Sequence, residues 1–223
     1  MPTKTTAAVL TDLTKHVKDE LVQRDAEVDA IVLALLSRHH VLILGEPGIA
    51  KTLVTDRIVM RIEGCNHFYV ALGPFSTPPH LFGLLSIAGI KADKQVYVTK
   101  GMLPEAHVAT FDEWTRAGNA VLQDCQQAWQ ERTFRQDGVR VQMPLHTGIF
   151  LCNHLIDEKD EQVLAAVYDR IMLRRVSEPV VDAAVLRALA LARASGDLVA
   201  AAQLAADLAA IAQRQDPRPL RRP

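Results

Sequence analysis

One eight-residue segment constrains this chain more than any other. Residues 45–52 read GEPGIAKT and follow VLIL at 41–44, a short unbroken apolar run. Such a run reads as a strand buried on both faces, as in a parallel sheet. Residues 53–62 then read as a helix. A strand, a glycine-bearing loop and a helix start, in that order, gather backbone N–H groups and the positive end of a helix dipole at one point. That is where a phosphate is held. In a Walker A loop of this type, Gly45 and Gly48 permit unusual backbone angles and close approach. Lys51 reaches the β and γ phosphates of ATP, and Thr52 binds Mg²⁺. Glu46, Pro47, Ile49 and Ala50 complete the cofactor-binding loop. The strict pattern has glycine where Ala50 stands, but one methyl is a small intrusion and alanine suits a helix's first turn. The plain alternative is an ordinary strand–turn–helix carrying a surface lysine.

A second apolar run, VATF at 108–111, ends in Asp112 and Glu113. A carboxylate at the end of a strand beside a phosphate loop holds Mg²⁺, which gives Asp112 its role. A second carboxylate orients or deprotonates the attacking water, which gives Glu113 its role. Alone, this pattern also describes any strand that meets solvent. After a phosphate loop, each signal supplies the other's context.

The rest of the chain alternates in the same manner. Helical spacing covers residues 11–37, with a break near 23–25. Further strands are expected at 67–72, 107–112, 147–153 and 171–176, with helices at 119–132 and 161–168. Strands alternating with helices imply an α/β fold: a parallel sheet flanked by helices. Two segments interrupt the alternation and read as hairpins. Residues 84–101 place polar turn residues between two alternating stretches, and residues 134–141 carry Asp137-Gly138 between β-favouring residues. Three domains are expected: an N-terminal helical segment at 1–20, a nucleotide-binding core at 21–178, and an alanine-rich helical segment with a basic tail at 179–223.

Composition narrows the function classes. Lys plus Arg number 25 against 26 Asp plus Glu, and aromatics are 5%. Direct nucleic-acid binding is therefore not expected. The longest apolar run, at 30–36, is far shorter than the roughly 20 residues of a membrane span. Cys65, Cys125 and Cys152 form no CxxC pair, which points to reduced thiols, a cytoplasmic location and no structural zinc. Cys152 reads as a small buried strand residue. Trp114 reads as an anchor between helix and sheet, and His39, His40 and His154 as loop or turn histidines.

Taken in order, several blocks resemble the MoxR-type AAA+ ATPases, closest to the RavA-like branch. They are GEPGIAKT, FSTPPHLFGLLSI, KGMLPEA, TFDEWTRAG, QERTFR, the strand ending in Cys152-Asn153, and VYDRIMLR. The resemblance covers about residues 21–176. It implies a P-loop AAA+ core with five parallel strands in the order 5-1-4-3-2, Mg²⁺-dependent ATP hydrolysis, and assembly into a ring, commonly hexameric. It assigns the two hairpins as insertions that project toward a substrate or partner. On matching positions, Asn153 would be the sensor that aligns the attacking water, and Arg170 the arginine finger reaching a neighbour's γ-phosphate. A strand-terminal asparagine in a turn and a surface salt bridge are the respective alternatives. Gln23 and Arg24 fall where adenine usually lies. Glu46 departs from the branch pattern, and the chain after Val176 implies a reduced or absent lid, with Arg187 and Arg193 as candidate second-sensor arginines.

The resemblance further implies a chaperone-like remodeller of protein clients, often with a von Willebrand A domain partner. The competing reading is a nucleotide-regulated assembly or binding module with little turnover. A small-molecule kinase is disfavoured by the Asp112-Glu113 pair and the insertions. Lys51, Thr52, Asp112, Glu113, Asn153 and Arg170 together favour hydrolysis.

Overall fold

The computed structural model describes residues 6–153 and 167–180, together with 186 and 190. The expected alanine-rich helices, the basic tail, His154, Arg187, Arg193 and most of the 161–168 helix lie outside the described residues. The contacts divide the chain into two compact units. One is Ala26–Ser177, and the other takes Met1–Asp25 and Glu178–Pro223.

In the latter unit, α1 (Thr6–Asp19) buries Val17, and Leu21 is buried just beyond it. Arg24 is also buried and donates from Nη1 to the carbonyls of Gln23 and Glu178, at 3.0 and 2.9 Å. Gln23 has φ +54°, so the chain turns sharply at the expected helix break. The next helix, α2 (Asp25–Ser37), belongs from Ala26 onward to the Ala26–Ser177 unit and carries Val28, Ile31 and Ala34 on its buried face.

In the Ala26–Ser177 unit, five strands form one parallel sheet. They are β1 (Val41–Leu44), β2 (His67–Ala71), β3 (Val108–Asp112), β6 (Thr147–Cys152) and β7 (Leu173–Val176). Their spatial order is β2-β3-β6-β1-β7. With the five numbered in chain order and read from the other edge, that is 5-1-4-3-2, as expected. Burial follows position: all six residues of β6 are buried, as are three of four in β1, while edge strand β7 has three exposed residues. Central parallel strands lose both faces to packing, so only apolar or small side chains fit there.

Between the strands lie α3 (Lys51–Val59), α4 (Pro79–Phe82), α5 (Ile87–Lys91) and α6 (Asn119–Gln130). The buried residues of α6 are Val121, Leu122, Cys125, Ala128 and Trp129, one helical face. Around Phe150 of β6 the core is aromatic. Phe111 stacks on it at 5.0 Å between centroids, and Trp129 and Trp114 meet it edge-on at 5.0 and 5.7 Å. Such pairs contribute about 0.5–1.5 kcal/mol each beyond burial.

Strands β4 (Thr133–Gln136) and β5 (Val139–Gln142) form the second expected hairpin, with Asp137 and Gly138 at φ +52° and +74°. Positive φ at both turn residues matches the right-handed twist of a two-residue hairpin. The first expected hairpin is corrected. Residues 84–98 make only an antiparallel bridge, Leu85 to Tyr97, and α5 stands between its arms. The reason is local: the Ser86 side chain accepts from the Gly89 amide and caps a helical turn. The two insertions are tied together, since Gln95 N donates to Asp137 Oδ1 at 3.0 Å and Asp137 N to Gln95 O at 2.9 Å. Among the described residues, no helix is long and apolar enough to cross a membrane.

Candidate active site

Because all five strands are parallel, their carboxyl ends share one side of the sheet, and ligands of open α/β sheets bind there. The 45–52 loop leaves the end of β1 on that side. Gly45 donates to the Cys152 carbonyl at the end of β6, and Ser177 donates to the Leu44 carbonyl. The loop's root is thus stitched to both neighbouring strands. A Cβ on Gly45 would lie 2.6 Å from the Ser177 carbonyl oxygen, so any larger residue would push the strands apart. Gly48 has φ +83°, in the left-handed region. Glu46 is exposed.

Ala50 corrects the sequence expectation. It precedes the first turn of α3 instead of belonging to it, with φ +66° and ψ 24°. The strict motif has glycine here because the backbone is left-handed, a conformation that costs an L-residue roughly 1–2 kcal/mol.

Lys51, first residue of α3, is 8% exposed. Its Nζ donates to Gly45 O at 2.5 Å, Glu46 O at 2.9 Å and Asn153 Oδ1 at 2.6 Å. Burial pushes this ammonium below the ordinary lysine range, while Asp112 and Glu113 pull it back up. Asn153, directly after β6, donates its other amide atom, Nδ2, to Glu113 Oε1. Thr52 Oγ1 donates to Asp112 Oδ2 at 3.4 Å.

Residues Asp112 and Glu113 lie at the end of β3. Asp112 Oδ1 accepts from the Glu113 amide at 3.0 Å. Glu113 has φ +52°, and the fully buried Trp114 follows it at the start of a 3₁₀ turn. The chain therefore bends sharply between a carboxylate that must face the site and an indole that must reach the core. That explains the strained backbone at this point. Trp114 is fully buried and meets Phe150 of β6 edge-on, in keeping with the anchor between helix and sheet expected of it.

The structure brings together Lys51, Thr52, Asp112, Glu113 and Asn153. It sets Arg170 apart. Arg170 precedes β7 and therefore lies at the amino end of the strands. A four-residue strand at 3.3 Å per residue separates it from the loop's side of the sheet by about 13 Å. There it is exposed and stands against the Gln130 side-chain amide. Both line a cleft of about 480 Å³ with Arg38, His40 and Arg132.

Two residues stand differently from the sequence reading. His40 lies in the loop before β1, as read, but is buried there: Nε2 lies 2.7 Å from the Trp129 carbonyl, and Nδ1 accepts from the Gly148 amide at 2.8 Å. Tyr69 of β2 belongs to no motif in the sequence, yet its hydroxyl donates to Asp112 Oδ2 at 2.9 Å. Burial, this bond and the Asp112 charge push its phenol up to about 12. The available signal was a polar-tipped aromatic in the strand expected beside the acidic one.

A family model described as the MoxR domain of MoxR-vWA-beta-propeller ternary systems matches residues 8–213. Protein MJ0812 of Methanocaldococcus jannaschii is 30% identical over 169 residues, covering 75% of this chain and 44% of that protein. MJ0079 of the same organism is 31% identical over 167 residues, covering 73% and 43%. The chain thus spans less than half the length of these relatives. Among solved structures, a candidate ATPase from Cytophaga hutchinsonii superposes with TM-score 0.64 at 15% identity, covering 89% of this chain and 63% of that one. The Hsp104–ADP complex of Saccharomyces cerevisiae gives 0.58 at 15% identity, covering 86% and 40%. The last two likenesses concern the fold, which is the one built above from strand order and loop position. Matched along nearly its whole length by that family model, the chain belongs to the MoxR family of AAA+ ATPases.

Proposed function

We propose that the 45–52 loop binds ATP and that this chain hydrolyses it with Mg²⁺, using a neighbouring copy to complete the site. One observation carries the reading. Lys51, Thr52, Asp112, Glu113 and Asn153 come from the starts and ends of separate elements and share one hydrogen-bonded network at the carboxyl end of the sheet.

The donor set fits Mg²⁺. The Thr52 hydroxyl and the Asp112 carboxylate are hard oxygens already within hydrogen-bond reach. Mg²⁺ is usually held by one or two such ligands, with phosphates and waters completing its shell. Bound Mg²⁺ would neutralise charge on the phosphates. Lys51 would exchange its carbonyl contacts for phosphate oxygens. Glu113 would orient the attacking water and take its proton, while Asn153 holds the Glu113 carboxylate in place. The water oxygen bonds to the γ-phosphorus, the bond to the β–γ bridging oxygen breaks, and ADP and inorganic phosphate leave.

Arg170 supports the need for a second copy. It stands at the opposite end of the sheet from the loop of its own chain, out of reach of phosphates held there, and would instead serve a neighbour's γ-phosphate. Such an arrangement belongs to a ring, and a hexamer is the size proposed. The family's description pairs the domain with vWA proteins. A vWA domain protein is therefore the proposed partner, and nucleotide-driven remodelling of a protein client the proposed outcome. The tied insertions at 84–101 and 134–141 would be the client-facing part. The three cysteines are free thiols, in keeping with the cytoplasm.

The test is phosphate release measured across protein concentration, with and without Mg²⁺, and with mass determined in parallel. Turnover per chain should rise as the mass rises. The Glu113→Gln variant should bind ATP yet turn it over about 10²-fold more slowly. Turnover that is unchanged in Glu113→Gln, or independent of assembly, would sink the mechanism.

A further inference from the structure

We propose that Tyr69 is a positioning residue for metal binding at Asp112, an inference that rests on the ATP and Mg²⁺ reading above. The geometry comes from sheet register. Strands β2 and β3 run parallel, with Ala71 opposite Asp112 and Tyr69 opposite Thr110. Residues two apart on a strand share a face. Tyr69 and Asp112 are therefore diagonal neighbours on one face, a separation that a long aromatic side chain can bridge. The phenol does so, donating to Asp112 Oδ2 at 2.9 Å. One step back along the same face, His67 Nε2 meets Thr110 Oγ1 at 2.8 Å. The two strands thus carry a ladder of two cross-strand polar pairs.

With the Glu113 amide, the upper rung of that ladder holds the carboxylate on both oxygens. Asp112 Oδ1 is held by the Glu113 amide and Oδ2 by the Tyr69 phenol. The Thr52 hydroxyl approaches the same Oδ2 at 3.4 Å. The short bond is therefore the one from Tyr69, and the longer one is from the residue that would share the metal. A carboxylate with a donor on each oxygen cannot swing about its last torsion. Oδ2 thereby stays within reach of the Thr52 hydroxyl. Partners of this kind, which touch a ligand and not the ion, typically change metal affinity 10–100-fold when removed. A rigid Asp112 also keeps Glu113 in place, because the two share the Asp112–amide bond across the strained turn.

A tyrosine kept for packing would bury its ring. Tyr69 is 45% exposed, so its ring contributes little to the core, and the hydroxyl is what engages the site. Removing only that oxygen separates the two roles.

The experiment is calorimetric titration of the full chain with ATP, at stepped Mg²⁺ concentrations and in EDTA. It is done on the unmodified protein, Tyr69→Phe and Asp112→Asn. In Tyr69→Phe, the Mg²⁺ concentration that gives half of the metal-dependent gain in ATP affinity should rise about 10-fold. Its ATP affinity in EDTA should match the unmodified protein. An unchanged Mg²⁺ midpoint in Tyr69→Phe alongside a raised one in Asp112→Asn would overturn the role of Tyr69 and leave the metal site standing. Unchanged midpoints in both variants would overturn the metal site and the Tyr69 role together. A Tyr69→Phe variant weakened equally with and without Mg²⁺ would also overturn the proposal, since the loss would then be general.

Discussion

Lys51 and Asn153, 102 residues apart in sequence, are joined by a hydrogen bond of 2.6 Å from Nζ to Oδ1. The same amide donates to Glu113, so one side chain links the loop lysine to the carboxylate proposed to handle water. Changing Asn153 should therefore affect turnover more than binding. Asn153→Ala should keep ATP affinity within a few-fold and lower turnover about 10²-fold, comparable to losing one preorganised donor. Asn153→Asp should be worse, because a carboxylate there repels Glu113 and captures Lys51 as an ion pair. Rapid-quench and equilibrium titration on both variants would check this, and loss of affinity with normal turnover would contradict it.

Lys51 Nζ is held by two loop carbonyls and Asn153, contacts it would trade for phosphate oxygens. Lys51→Ala should abolish ATP binding in a protein that still folds, as read by calorimetry beside circular dichroism. Arg170→Ala should bind ATP and hydrolyse it poorly. Mixed, the two variants should recover activity, because the Lys51 variant lends its arginine to the intact loop of the other. The recovery should grow with total concentration. Mixtures that co-assemble yet show no recovery at any ratio would return Arg170 to a structural role with Gln130.

Ala50 carries a left-handed backbone with φ +66°. Ala50→Gly removes the steric penalty there, partly offset by the greater freedom of unfolded glycine. A net gain of about 1 kcal/mol is expected in urea denaturation. Ala50→Val should lose more than that, since a β-branched side chain tolerates positive φ still less. A destabilised Ala50→Gly would mean that the methyl makes contacts that outweigh its strain.

Burial lowers the His40 pKa, the Arg132 and His39 charges lower it further, and the bond to the Trp129 carbonyl partly opposes them. Both ring nitrogens are engaged by backbone, one as donor and one as acceptor, so the neutral ring is the one that fits. With the folded value below the unfolded one, protons bind the unfolded chain first. The stability contributed by neutral His40 is complete above about pH 6.5 and declines as pH falls below it, until the folded value is passed. Urea midpoints measured from about pH 7.5 to 5 should fall in the unmodified protein and fall less in His40→Gln. Equal slopes would assign the pH dependence elsewhere.

What could be read along the chain was whatever short-range chemistry carries. The apolar run 41–44 and GEPGIAKT at 45–52 are contiguous, and so are the 108–111 run and its two acidic residues. Strand, loop and helix at 41–59, the parallel sheet and the Asp137-Gly138 turn follow from such local patterns, because burial and backbone angles act on neighbouring residues. The 84–101 segment misled because one serine cap turned an alternating pattern into a helical turn. Ala50 misled because its sequence context does not reveal the sign of φ. Three features depended on residues distant in sequence: Asn153 between Lys51 and Glu113, Tyr69 on Asp112, and His40 between Trp129 and Gly148. Strand register and strand order create these contacts, and both are set by packing of the whole sheet. The order of residues along the chain sets which groups stand around the 45–52 loop. Their contacts with one another come from the packed sheet, because a hydrogen bond depends on a few tenths of an ångström that no local pattern encodes.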